Sequence, residues 1–125
     1  MIIVEDITYL KEMARVGSFN SKGDEVDKGI DVRIYPENLG NPSFHLFNKN
    51  NWLYILEIKT FKILEIKDNG LNLNKGDYLP NSIVKPLIKF LSNNNYDNWY
   101  FLLKTWNANN PTYKISLNTK IPDSK

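Results

Sequence analysis

The 125-residue sequence contains no cysteine, one histidine and two arginines, and each shortage excludes a kind of site. Without cysteine these residues can form no disulfide, thiolate zinc site or cysteine nucleophile. His45 alone supplies one imidazole, whereas a zinc site needs three or four protein ligands, so we predict no metal. Phosphate and base-edge recognition favours the planar fork of arginine, and only Arg15 and Arg33 provide it.

Long apolar runs and phosphate-binding motifs are also missing. No run approaches the roughly 20 apolar residues of a membrane-spanning helix, so we predict no membrane partner. The N-terminus, MIIVEDITYLKE, carries acids where a signal peptide carries positive charge, which predicts a cytoplasmic protein. Because there is no P-loop or dinucleotide fingerprint, we predict no cofactor.

The residues that are present suffice for a folded core. Hydrophobic residues make up 42% and aromatic residues 13%, which predicts a single domain spanning residues 1–125. Residues 1–40 hold 8 acids and 5 bases, and residues 41–125 hold 6 acids and 11 bases. The second balance is basic, but it falls short of the clustered face of a dedicated nucleic-acid binder.

Hydrophobic periodicity predicts an α+β domain, because strand patterns precede helical ones. The predicted sheet is antiparallel, has three to four strands, and is packed by two C-terminal helices over 82–92 and 97–107. Pro86 is predicted in the first turn, and Trp99, Leu102, Leu103 and Trp106 are predicted to be buried. The predicted segments are an N-terminal helix within 1–16, a strand meander over 30–67, two helices over 80–107 and an extended tail over 108–125.

His45 has three possible roles on its predicted strand. It could pair with Ser43, two residues away on the same face, as base and nucleophile. It could join Asp31 or Glu57 from a neighbouring strand in a metal site. It could also be structural, which we favour because nothing in the sequence predicts an oxyanion hole or further ligands.

Glu57 and Glu65 are a second candidate pair, since two carboxylates perform acid–base catalysis in glycosidases. Both lie in a repeated LEIK sequence that alternates apolar and charged residues. This alternation is typical of a half-exposed strand with Glu and Lys paired across it. We therefore predict no catalytic residue and no enzyme.

Aromatic residues outside the helical core stripe are the candidates for binding. Exposed Tyr and Trp are enriched at protein interfaces, and we expect some of Trp52, Tyr54, Tyr96, Tyr100 and Tyr113 to stay partly exposed. The predicted partner-binding residues are Tyr35, His45, Phe47, Trp52 and Tyr54.

The sequence NPSFHLF, followed by an amphipathic strand and a Trp-terminated helix, resembles a family of small uncharacterised proteins. The family carries a Pro-Pro-His-x-His-Val signature and occurs in bacteria, mobile elements and phages; the ending LLKTWNANNPTYKI is similar to gut-bacteriophage proteins. The match, over residues 30–123, includes Pro42, Phe44, His45, Leu46 and Trp106. Ser43 replaces the family's first histidine, which implies a structural or binding role for His45.

Three functions from different classes follow. We predict a non-enzymatic protein-binding module, and the resemblance implies a phage or mobile-element accessory, inhibitor or assembly protein that acts on a host or virion protein. A nucleic-acid-binding protein is the alternative, since aromatics among lysines can stack the bases of a single strand. A small enzyme ranks third, because it lacks nucleophile, metal and cofactor signals.

Overall fold

A computed structural model describes residues 13–20, 29–36, 41–48, 51–67 and 72–122. In this part of the chain, five strands form one antiparallel sheet in chain order, and a helix follows them. The elements are β1 (Ala14–Asn20), β2 (Gly29–Ile34), β3 (Ser43–Asn48), β4 (Asn51–Glu57), β5 (Ile63–Ile66) and α1 (Asn81–Asn109). The α+β class is confirmed, but the predicted numbers of strands and helices are wrong.

The sheet has five strands, whereas three or four were predicted. The additional strand is β1, which the sequence pattern does not reveal. Its register with β2 shifts between Arg15 and Gly17, and this bulge interrupts the alternation of apolar residues. A Cβ on Gly17 would lie 2.6 Å from Cζ of Phe90, so glycine lets the strand approach α1 closely. The end of the predicted N-terminal helix falls in β1, and residues 1–12 lie outside the described residues.

One 29-residue element, α1, replaces the two predicted helices. The backbone leaves helical geometry at Asn93–Tyr96, where Asn94, Asn95 and Tyr96 have φ between 52° and 66°. The Asn98 side chain spans this kink by donating a 2.9 Å hydrogen bond to the Phe90 carbonyl. The asparagine run therefore lies at a bend within α1, where we predicted a break between helices over 82–92 and 97–107. Pro86 lies in the second turn, since α1 begins at Asn81.

The core lies between α1 and one face of the sheet. Strand alternation directs every second residue of β2, β3 and β4 to this face, where the apolar side chains are fully or nearly fully buried. The buried set from these strands is Ile30, Val32, Ile34, Phe44, Leu46, Tyr54 and Leu56. The predicted burial of Trp99, Leu102, Leu103 and Trp106 of α1 is confirmed.

Residues 110–122 run along α1 and are fixed to it by side-chain hydrogen bonds. The indole nitrogen of Trp99 donates to the Thr119 carbonyl at 2.7 Å, and that of Trp106 donates to the Tyr113 carbonyl at 2.8 Å. The Asn107 side chain donates to the Ile115 carbonyl at 2.9 Å and accepts from its N–H at 2.7 Å. These bonds give the C-terminal segment a defined position without a strand or helix of its own.

Candidate functional site

Two surfaces contain the candidate residues. The outer face of the sheet, which we call the sheet surface, is the side of β1–β3 facing away from α1. It consists of Arg15, Asp31, Arg33, Tyr35, His45 and Phe47. The second, which we call the helix–tail surface, lies where the second half of α1 meets the C-terminal segment. It consists of Tyr96, Asp97, Tyr100, Phe101, Lys104, Leu117 and Lys120.

His45 lies in the middle of the sheet surface, opposite Arg33 of β2 and Ile55 of β4. Its ring centroid is 4.6 Å from that of Tyr35, and the residue is 9% exposed. Burial lowers the pKa of His45 to about 4, because it disfavours the charged imidazole. A neutral imidazole with this pKa is a weak base at pH 7, which counts against general-base catalysis.

A network of three charged side chains, Arg15, Asp31 and Arg33, lies beside His45. The Asp31 carboxylate accepts hydrogen bonds from Arg15 at 3.2 Å and from Arg33 at 3.0 Å. Burial acts to raise the pKa of Asp31, but the hydrogen bonds and charges of the two arginines outweigh it and lower the pKa. The Arg33 guanidinium also stacks 4.0 Å from the centre of the Phe47 ring. Both arginines of the chain are thus engaged on this surface.

The carboxylates proposed for metal binding or catalysis have other partners. Asp31 is bound by the arginines, and Glu57 accepts a hydrogen bond from the Thr60 hydroxyl. Glu65 lies 3.2 Å from the Lys75 ammonium. Ser43 is opposite Glu57 in the register, whereas His45 is opposite Ile55. Within the described ranges, no three His, Asp or Glu side chains are grouped as metal ligands would be.

Three of the five predicted partner-binding residues meet on the sheet surface. Ring centroids lie 5.9 Å apart for Tyr35 and Phe47, and 6.2 Å apart for His45 and Phe47. Trp52 lies on β4 opposite Phe47, and its side chain is outside the described part. Tyr54 is 2% exposed and packs in the core with Leu46 and Leu56, so an intact fold offers it to no partner.

The helix–tail surface contains large apolar side chains that solvent reaches. Tyr96, Tyr100, Phe101 and Leu117 are 43–50% exposed. They surround two adjoining depressions of about 740 and 620 Å³, both of which are lined by Tyr100 and Leu117. Lys104 lines one depression and Lys120 the other. A segment of a partner could therefore place apolar side chains between these residues and contact a lysine at either side.

Sequence reasoning missed Phe101 and Leu117, although a signal for one of them was available. The buried stripe of α1 contains Trp99 and Leu102, so the residues between them must point to the opposite side of the helix. Tyr100 and Phe101 are those residues. Nothing comparable marks Leu117, because the C-terminal segment has no periodicity and its exposure depends on how Trp99 and Trp106 fix that segment.

Within the described ranges, no helix has both the length and the apolar character of a membrane-spanning segment. Comparison of the chain with protein-family models, curated proteins and solved structures found no match. The resemblance to the family with the Pro-Pro-His-x-His-Val signature therefore stays a prediction.

Proposed function

We propose that this chain is a protein-binding module, not an enzyme, and that it binds its partner through the helix–tail surface. The exposure of Tyr96, Tyr100, Phe101 and Leu117 around two connected depressions supports this most strongly. Contiguous exposed apolar side chains are uncommon on monomeric proteins unless they serve an interaction. Tyrosine and phenylalanine also supply large contact area at a small loss of side-chain entropy.

The rigidity of the surface supports the same proposal. Trp99 lies between the exposed residues along α1, and its indole hydrogen bond fixes the C-terminal segment beside Leu117. The depressions are therefore formed before any partner binds. A surface formed in advance loses less entropy on association than a flexible one.

The kink in α1 provides a further argument. Tyr96 has φ of 66° and ψ of 28°, in the left-handed region that costs a non-glycine residue about 1 kcal/mol or more. Its side chain is half exposed, so no burial in the core offsets this cost. Strained residues concentrate where they serve binding or catalysis, and Tyr96 borders one depression.

Nucleic acid is the alternative partner, because lysines accompany the aromatic residues here. The position of the arginines counts against it, since Asp31 holds both on the sheet surface. The family resemblance would make the protein partner a host or virion protein, and the chain a phage or mobile-element accessory protein in the host cytoplasm or virion.

The test compares a Tyr100→Ser/Phe101→Ser variant with a Tyr78→Ser control in pull-downs from the native host. Tyr78 is 42% exposed and lines neither depression. We expect one protein to be retained by the wild type and the control, and lost with the double variant. Equal retention by all three chains, or retention of nucleic acid alone, would exclude the proposed function.

A further inference from the structure

The charges around the helix–tail surface are unevenly distributed. From residue 81 to residue 122 the chain carries five lysines and one acid, Asp97. All six side chains are exposed, and the ion pairs of the described residues involve none of them. Elsewhere the described acids have partners, as Asp31 has with the arginines and Glu65 with Lys75. Among the described residues, α1 and the C-terminal segment therefore carry an excess of positive charge. At the helix–tail surface itself Lys104 and Lys120 outnumber Asp97, which lines the same depression as Lys104.

We infer that the helix–tail surface binds an acidic segment of its partner, with carboxylates beside Lys104 and Lys120 and apolar side chains in the two depressions. This inference rests on the proposed function and specifies the chemistry of the partner. Complementary charge accelerates association and excludes partners of the wrong sign. An acidic segment gains both effects here, because the lysines flank the apolar residues.

The apolar depressions favour a peptide that carries carboxylates over a phosphate group alone. Arginine binds carboxylate and phosphate alike through two parallel hydrogen bonds, and lysine attracts either anion as a compact point charge. The basic residues of the helix–tail surface are lysines only, so their charge does not choose between the two anions, and Asp97 lines the same depression as Lys104. The two depressions have aliphatic walls, formed by Val16, Leu117 and Ile121, which suit Leu, Ile or Phe side chains of a peptide.

The experiment selects peptides from a random 16-residue displayed library on the immobilised wild-type chain, with the Tyr100→Ser/Phe101→Ser variant as counter-selection. We expect the enriched peptides to be rich in Asp and Glu around apolar residues. A synthetic copy of one peptide is then titrated against Lys104→Ala/Lys120→Ala and, as matched control, Lys85→Ala/Lys89→Ala. Two lost charge pairs should weaken binding about tenfold in the first variant. The control should bind within about twofold of the wild type, since neither of its lysines lines the depressions.

The outcomes separate this inference from the proposed function. Enriched peptides that are neutral or basic, or that bind Lys104→Ala/Lys120→Ala normally, would overturn the acidic segment and leave the protein-binding module intact. If no peptide of the library binds the wild type more tightly than the Tyr100→Ser/Phe101→Ser variant, the proposed protein-binding function itself would be overturned. A 16-nucleotide thymidine oligomer that binds the wild type and competes with the selected peptide would replace protein with nucleic acid.

Discussion

On the sheet surface Asp31 binds both arginines, and Phe47 covers the guanidinium of one of them. On the helix–tail surface Lys104 and Lys120 flank exposed aromatic residues, and neither lysine forms an ion pair with another described residue. The first region satisfies its charges internally and buries its rings. The second leaves both its charges and its rings accessible to another molecule.

The comparison shows why residue type alone does not identify a binding surface. Tyr35, His45 and Phe47 belong to types enriched at interfaces, yet they contact one another and Arg33. The net charge of +2 conceals the same distinction, because it counts paired and unpaired charges alike. Accessibility and pairing distinguish the two regions, and each can be tested by substitution.

Trp106→Ala should have the largest effect, because this residue joins α1 to the C-terminal segment. The side chain is fully buried, and its indole donates to the Tyr113 carbonyl. Removing it should lower the free energy of unfolding by about 3–5 kcal/mol in urea denaturation. Trp106→Phe, which keeps most of the volume and loses the hydrogen bond, should lose less. A midpoint unchanged in Trp106→Ala would show that the segment does not depend on this anchor.

Acid should next destabilise the sheet surface through His45. The pKa is about 4 in the folded protein and 6.5 in the unfolded chain, so the unfolded state binds the proton more readily. Stability should therefore decrease as the pH falls from 6.5 to 4, by about 3 kcal/mol, and this contribution should level off below about pH 3.

His45→Gln is the matched variant for this pH dependence. It should flatten the curve of unfolding free energy against pH between 6.5 and 4, measured by urea denaturation at each pH. Asp31 contributes little in this window, because its pKa is lowered from 3.8 and most of its stabilisation is lost in stronger acid. A wild-type curve without a slope there would mean that His45 is solvated.

The sheet surface should also be sensitive to removal of its central charge. Asp31→Asn removes the carboxylate that pairs with the Arg33 guanidinium, whose side chain is 14% exposed. We expect a loss of about 1–2 kcal/mol in the free energy of unfolding, reduced by the partial exposure of the pair. Arg15→Gln is the control, since the Arg15 side chain is mostly exposed and should contribute little.

On the helix–tail surface, a substitution at the kink should have the opposite effect and increase stability. Tyr96→Asn should raise the free energy of unfolding by up to about 1 kcal/mol, because asparagine tolerates the left-handed conformation better than tyrosine. The same change removes a ring that borders one depression, so binding of a selected peptide should weaken. Lower stability, measured by urea denaturation, would show that the Tyr96 ring contributes to the fold.

Sequence patterns predicted the regular elements of the fold. They failed where a single tertiary contact determines the local structure. The alternation in β2, β3 and β4 is regular, and these three strands, from Gly29 to Glu57, match the first part of the strand meander predicted over 30–67. β1 was missed because its bulge and Gly17 are needed only for contact with Phe90, which no local pattern reveals.

The candidate surfaces were predicted less well than the fold. A strand pattern shows that His45 and Phe47 lie away from the core, but not that Arg33 and Tyr35 fold over them. Tyr54 was predicted to bind a partner but lies in the core. The difference arises because successive residues of a strand face opposite sides of the sheet, so a shift of one residue exchanges core and solvent positions. Charge pairing between Asp31 and Arg15 depends on the register of β1 with β2, which the sequence alone did not specify.

Removal of Lys104 and Lys120 should have the smallest effect on stability and is the sharpest test of the comparison. Both side chains are exposed, and the described residues offer them no ion pair. Lys104→Ala/Lys120→Ala should therefore change the free energy of unfolding by no more than about 0.5 kcal/mol in urea denaturation, alongside the larger loss from Asp31→Asn. The contrast depends on charge pairing, so it should shrink in 1 M salt, where screening weakens the partly exposed Asp31 pairs. A loss from the lysine variant as large as that from Asp31→Asn would mean that these lysines stabilise the fold, and they would then not be available to bind an acidic partner.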